Sequence, residues 1–363
     1  MRGARTPLRG DYIGAVSVER RSRAAAVVLD FPRVKKFLIA LVAAGVGANV
    51  GFTLLTTDRQ AWDALEHITP GYVVLALALA VMPWLAEATR ITIWARFFGR
   101  RFSFGDALRC VWAGQVGAAL APIAVGNAAA KTAMMIDRGL TTGEAATVES
   151  LSVIEDFMFF VIALPAAAVA TGAWRHPVVT SAGEALRIRF ASPWVVAAFI
   201  AALVAAGMVI VLVTRRRGRW LGLRENFKLV GRVGKGRIAL TVLIAAVHWG
   251  CRYSVVAALA LSLGVRENPL RLFFLQWFVF TIMTFVPIPG AAVGAESAFY
   301  LVYNGILPAW SLSVMTAAWR MCSFYVLVML AAVILVVLPH PTALQTPAAA
   351  APDPREPGAP AGP

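Results

Sequence analysis

The sequence predicts an all-α polytopic membrane protein, with about six full spans plus two re-entrant helical hairpins in an inverted-topology repeat. Three observations predict it. Hydrophobic residues fill 59% of 363 positions, more apolar side chain than a soluble core of that length requires. Several apolar runs approach the roughly 20 residues that carry a helix across a bilayer. Two apolar stretches, "LAPIAVGNAAAK" and "TFVPIPGAAVGAE", are interrupted by proline and glycine, where a simple span would continue.

Charge orders the elements. The chain carries 34 Lys and Arg against 19 Asp and Glu, a net charge of +15. These cations flank apolar runs, which is the positive-inside pattern and not a nucleic-acid footprint. Residues 1–36 form a basic arm from Arg2 to Lys36, expected in the cytoplasm. At that length the arm reads as leading into an uncleaved signal anchor, not as a signal peptide. Span one, Phe37–Leu55, leads to an acidic outer loop with Asp58, Asp63 and Glu66. Span two, Gly71–Ile91, returns to an inner loop with Arg96, Arg100, Arg101 and Arg109. Farther on, Pro193–Val213 precedes the most basic loop, Arg215 to Arg237, which must also be inside. The span before it, Ala146–Ala170, therefore runs outward, joined to it by an outer loop at Gly172–Ser192. Both ends of Ala107–Ala145 then lie inside, and Pro122 and Gly126 make this segment a re-entrant pair of half-helices. Such backbone is tolerated in a bilayer only where protein buries it or it lines a wet cavity.

The second half has the same parts. Ile238–Leu263 is a span, and Leu270–Phe285 and a second arm to about Ile306 surround the break at Pro287, Pro289, Gly290 and Gly294. Ala309–Leu338 is the last span. Residues 339–363 are a Pro- and Ala-rich tail expected to be disordered. The membrane domain is thus 37–338, with halves at about 37–171 and 193–338. Pro122 and Pro287 anchor the comparison of the halves. At matching distances lie Trp112 and Trp277, Lys131 and Glu296, and Glu155 and Arg320, with Gly139 and Gly305 at nearly equal ones. Mirror topologies with broken helices meeting at the midplane characterise many transporters.

Ionisable residues within spans cost about 2.5–3.5 kcal/mol each on insertion scales, so they face a cavity or a partner. The candidates for substrate binding or translocation are Lys131, Glu155, Asp156, Arg252, Glu296 and Arg320, with Glu149 and His248 beside them. Each of these could equally be one half of a structural ion pair between helices. Lys131 and Arg320 are expected to neutralise an anionic headgroup, with Arg252 behind them. Glu296 is expected to pair with Lys131 or Arg320, either as a proton-coupling site or as a fixed partner. Glu87 and Arg90 read as interfacial, and Trp249, Trp277 and Trp319 as packing residues.

"PIPGAAVGAE" resembles the Pro-Gly-Gly-x-Gly-x-x-Glu signature of the lysylphosphatidylglycerol synthase transmembrane-region family, also called flippase-like domain proteins. The segment from Ala121 to Asp156 resembles that family's earlier Pro-rich region, and "AAWRMCSF" its late arginine. Departures are Ala291 for the second glycine, Gly294 one position late, and Lys131 where arginine is common. The resemblance runs from Phe37 to Leu338 and implies lipid translocation. In family members with a soluble aminoacyl-transfer domain that domain adjoins this region, and with only a short Pro-rich tail after it here, none is expected in this sequence.

Cys110, Cys251 and Cys322 are scattered in apolar segments, so neither a disulfide framework nor a metal site is expected. No catalytic set and no phosphate-cradling loop appears, so no cofactor is expected and the protein reads as a transporter, not an enzyme. The expected function is a flippase or transporter of a charged-headgroup lipid or lipid-linked precursor in the cytoplasmic membrane. Its partners would be anionic or zwitterionic lipids and possibly a membrane enzyme. The alternatives are a membrane enzyme acting on a lipid-linked substrate and an accessory subunit of one.

Overall fold

The computed structural model describes residues 68–120, 123–190, 234–284 and 294–338, with a few isolated positions elsewhere. The basic arm, the spans at Phe37–Leu55 and Pro193–Val213, the tail, and Pro122, Pro287, Pro289 and Gly290 lie outside the described residues. The described residues form helices: α1 (Pro70–Phe97), α2 (Phe104–Leu120), α3 (Ile123–Asp137), α4 (Thr142–Thr171) and α5 (Pro177–Phe190) in the first half. The second half has α6 (Lys235–Ser262), α7 (Pro269–Thr284), α8 (Gly294–Tyr303), α9 (Ala309–Arg320) and α10 (Val326–Val337). A π-helical turn, Met321–Tyr325, joins α9 to α10. Four described stretches are long and apolar enough to cross a membrane: α1, α4, α6, and α9 through α10.

Helix ends follow from local chemistry. α1 begins with Pro70 in its first turn, where a missing N–H costs nothing. It extends past Ile91 to Phe97 because Trp94 and Ala95 are buried. There Arg96 Nε donates to the Phe102 carbonyl at 3.2 Å, which keeps a nominal loop arginine at the helix end. α4 starts at Thr142, earlier than hydropathy suggests. The Thr141 hydroxyl accepts from the Glu144 amide at 3.2 Å and the Glu144 carboxylate accepts from the Thr141 amide at 2.8 Å, a reciprocal capping box. The segment after α4, expected as a loop, instead forms a 3-10 turn at Ala173–Arg175 and then α5. Proline at the first position of α5 favours that start, and the segment is too polar for a hydropathy reading to mark it.

Packing sets relative directions. The Thr69 amide before α1 donates to the Ser262 carbonyl at the end of α6 at 3.0 Å. At the other ends, Arg237 lies 5.1 Å from the Phe97 ring. α1 and α6 are therefore antiparallel. α2 and α3 form a hairpin whose outer ends are joined by Arg138 Nη1 and Asp106 Oδ1 at 2.8 Å. α7 and α8 form the second hairpin, closed where the Tyr303 hydroxyl donates to Gln276 Oε1 at 2.7 Å. Gly139 (φ 100°) and Gly305 (φ 78°) end the second arms in left-handed conformations that disfavour any side chain. A run of aromatic contacts ties the halves together: Phe160 on Tyr253, Tyr253 on Phe280, Phe280 against Trp319, and Trp319 on Phe299.

Gly126 does not break a helix. It sits inside α3, and its role is close approach. A Cβ on Gly117 would lie 2.3 Å from the Gly126 carbonyl oxygen and 2.6 Å from the Ala130 Cβ. The obstacle is backbone, which cannot swing aside. Gly117→Ala is therefore expected to destabilise the hairpin by about 1–3 kcal/mol, measured as a lower Tm of the purified protein. An unchanged Tm would show that the arms separate without cost.

Candidate functional site

α1 presents Glu87 and Arg90, three residues apart and so on one face. α6 presents His248 and Arg252, four apart. Glu87 and Arg252 each lie ten residues before the end of a 28-residue helix, about 15 Å along it, close to half of a roughly 30 Å hydrocarbon core. α4 adds Glu149 and Asp156, with Glu155 beside them. α3 brings Lys131 and α9 brings Arg320.

These groups assemble into three ion-paired sets. Lys131 Nζ pairs with Glu87 and, at 3.2 Å, with Glu149 Oε2. Arg90 Nη1 pairs with Asp156 Oδ1 at 2.6 Å and with Glu155 Oε2 at 3.4 Å. Glu155 Oε1 also accepts from Trp94 Nε1 at 2.7 Å. Arg320 Nε pairs with Glu296 Oε1 at 3.1 Å, and its guanidinium lies 4.2 Å from the Phe324 ring. Arg90, Lys131, Glu155 and Arg320 are all at most 5% exposed.

Arg252 differs from the other cations. Among the described residues no carboxylate pairs with it, and its Nε is buried without a hydrogen bond. Its guanidinium is held by rings, 4.9 Å from Phe280 and 5.9 Å from Trp249, cation–π contacts that orient a cation without neutralising it.

The sets surround a cavity of about 320 Å³. Glu87, Arg90, Lys131, Glu149, Asp156, His248, Arg252 and Arg320 line it, with Trp84, Trp249, Phe280, Trp319 and Phe324 as its aromatic wall. Glu149 Oε1 and His248 Nδ1 are buried there with no hydrogen-bond partner. The π-helical turn follows Arg320, and Arg320, Ser323 and Phe324 all line the cavity. Single π turns of this kind occur often at functional sites. The arrangement can hold a polar, charged group at bilayer depth, with a guanidinium for an anion and rings for apolar surface.

Several sequence expectations change here. Glu87 and Arg90 are not interfacial. They line the cavity and pair with residues on α3 and α4, since each has an opposite charge within reach only after folding. Lys131 is engaged by two carboxylates, and Arg252 has none paired with it among the described residues. Glu296 meets Arg320, not Lys131. Gly294 is the first residue of α8, and Glu296 lies in that helix's first turn, where the dipole favours a carboxylate. The missed residues had one signal in the sequence: Glu87 and Arg90 share a helical face within a span, as Glu149 and Asp156 do.

Bilayer-length apolar helices around a buried charged cavity define the class, a polytopic all-helical membrane protein. The chain belongs to the lysylphosphatidylglycerol synthase TM region family, whose family model matches residues 37–331. It is also similar to a UPF0104 membrane protein of Archaeoglobus fulgidus, 22% identical over 293 residues, covering 74% of this chain and 87% of that protein.

Proposed function

We propose that the protein moves a lipid with a charged headgroup across the cytoplasmic membrane, the headgroup passing through the cavity between α1, α3, α4, α6 and α9. The observation that carries this reading is Arg252, a guanidinium at bilayer depth held by aromatic rings, unpaired among the described residues, on the wall of a cavity of about 320 Å³. A buried cation requires a counter-charge, and a lipid phosphate supplies one through charge-assisted hydrogen bonds. The family match to a lipid-modifying enzyme's membrane region is in keeping with a lipid substrate.

An inverted repeat supports the transport reading. Each half holds a long helix, a hairpin of shorter helices and a second long helix. α2 and α3, of 17 and 15 residues, reach about 25 and 22 Å, short of a full crossing. Because α1 and α6 are antiparallel, the hairpin following each opens toward opposite faces, as re-entrant pairs in an inverted repeat would. Charges are reversed between the halves at one constant separation: Glu87 and Arg252, Lys131 and Glu296, Glu155 and Arg320. With the basic loops inside, the N-terminal arm is cytoplasmic.

The test is reconstitution. Purified protein in liposomes should speed the transfer of headgroup-labelled phosphatidylglycerol between leaflets, read by quenching from outside. A rate equal to that of protein-free vesicles would sink the proposal. For the hairpin, single cysteines near Asn127 should resist full labelling from the outer face. Free labelling there from outside alone would show two complete crossings.

A further inference from the structure

Among the described residues, the three ion-paired sets and Arg252 together hold five carboxylates against four cations: Glu87, Glu149 and Asp156 on the cavity wall with Glu155 and Glu296 behind it, against Arg90, Lys131, Arg252 and Arg320. The Lys131 set and the Arg90 set each carry one excess negative charge, the Arg320 pair is neutral, and Arg252 offsets one excess charge. An anionic headgroup that takes up the charge of Arg252 leaves both excess charges uncompensated in a low-dielectric site, where like charges interact strongly. The site then favours a second positive charge.

We propose that Glu149 is a proton-binding site coupled to the headgroup site, so that an anionic phospholipid enters the cavity together with one proton. This rests on the lipid-translocation reading and adds its ionic partner. The proton comes from water and is held on Glu149 Oε1, with no other bond made or broken.

Geometry selects Glu149 among the five. Asp156 has Arg90 at 2.6 Å. Glu155 accepts on both oxygens, from Trp94 and Arg90. Glu296 pairs with Arg320 and does not line the cavity. Glu87 makes the closer of the two contacts to Lys131. Glu149 shares that lysine through Oε2 alone, while its Oε1 is buried with no hydrogen-bond partner among the described residues, and it lines the cavity. A proton there turns an unmatched acceptor into a donor facing the headgroup's oxygens. The groups around Glu149 come from every neighbouring element. α1 supplies Glu87 and Arg90, α2 the Cys110 thiol, α3 Lys131, and α4 itself Asp156. His248 and Arg252 come from α6, and Arg320 from α9.

Coupling of this kind is reciprocal: the lipid raises proton affinity, and protons raise lipid affinity. Dioctanoyl phosphatidylglycerol titrated into the purified full chain, by calorimetry in two buffers of different ionisation enthalpy, reads both. The native protein should take up about one proton per lipid bound. Its affinity should tighten as pH falls from about pH 8 to about pH 5, by up to about tenfold per pH unit. Glu149→Gln is fixed neutral, so it should bind at every pH as tightly as the native protein does at low pH, with no proton uptake. Binding by the native protein without proton uptake overturns the proposal, as does uptake that persists in Glu149→Gln. If that variant does not fold, the proton count of the native protein decides alone. Failure of the headgroup reading looks different: Arg252→Gln would then bind the lipid as the native protein does.

Discussion

Lys131→Ala is expected to cost about 3–5 kcal/mol of stability, the range for removing one partner of a buried ion pair. Lys131 is the cation for both Glu87 and Glu149. Its removal leaves two carboxylates facing each other across a buried site with no counter-charge. A loss of that size is a large part of the roughly 5–15 kcal/mol that holds a folded domain. Thermal unfolding in detergent, followed by size-exclusion chromatography, should show a strongly lowered Tm and a small folded fraction. The cost comes from the stranded charges and not from lost packing. Lys131→Met combined with Glu87→Gln and Glu149→Gln should therefore recover most of the stability, since neutral replacement of a buried ionic set is often tolerated. This revises the role that sequence position alone assigns to Lys131. If Lys131→Ala folds like the native protein and loses only lipid transfer, Lys131 is a headgroup ligand after all.

Arg252→Gln should do the opposite, sparing the fold and impairing transfer. No carboxylate among the described residues pairs with Arg252, so the change breaks no ion pair, and what it removes is the more distant offset to the Lys131 and Arg90 sets. What is lost in the fold is a cation–π contact with Phe280 and Trp249, worth about 0.5–2 kcal/mol. What is lost to the lipid is a hydrogen bond to a charged group, about 1.5–3 kcal/mol, or roughly a 10- to 150-fold fall in transfer of labelled phosphatidylglycerol. Arg252→Lys keeps the charge but not the planar fork, so it should fall between the native protein and Arg252→Gln. Native transfer rates in Arg252→Gln, with the fold intact, would remove this residue from the headgroup path.

The two variants test whether structural and substrate-binding charges share one cavity. Both residues are cations within spans, which are expensive to insert. They differ in whether a carboxylate pairs with them among the described residues. Lys131, Arg90 and Arg320 each pair with a carboxylate on another helix, and Arg252 lies against the rings of Phe280 and Trp249.

The sequence by itself determined the properties that are local in the chain. Apolar runs of bilayer length give the long helices, because hydrophobic length and backbone satisfaction are decided segment by segment. "TTGE" sets the start of α4, since a capping box needs only four consecutive residues. The motifs at Ala121–Asp156 and Pro287–Glu296 carry the resemblance to the family whose model matches residues 37–331. Tertiary structure alone decided the rest. The partners of Glu87 and Arg90 lie 44 or more residues away, and no periodicity within α1 shows which cation or carboxylate will arrive. Gly126 reads as a breaker until Gly117 is seen pressed against its carbonyl. The π turn after Arg320 leaves no mark in hydropathy. Whether a buried charge is already neutralised depends on distances of a few ångströms between helices far apart in sequence, and so only the fold could distinguish Arg252 from Lys131.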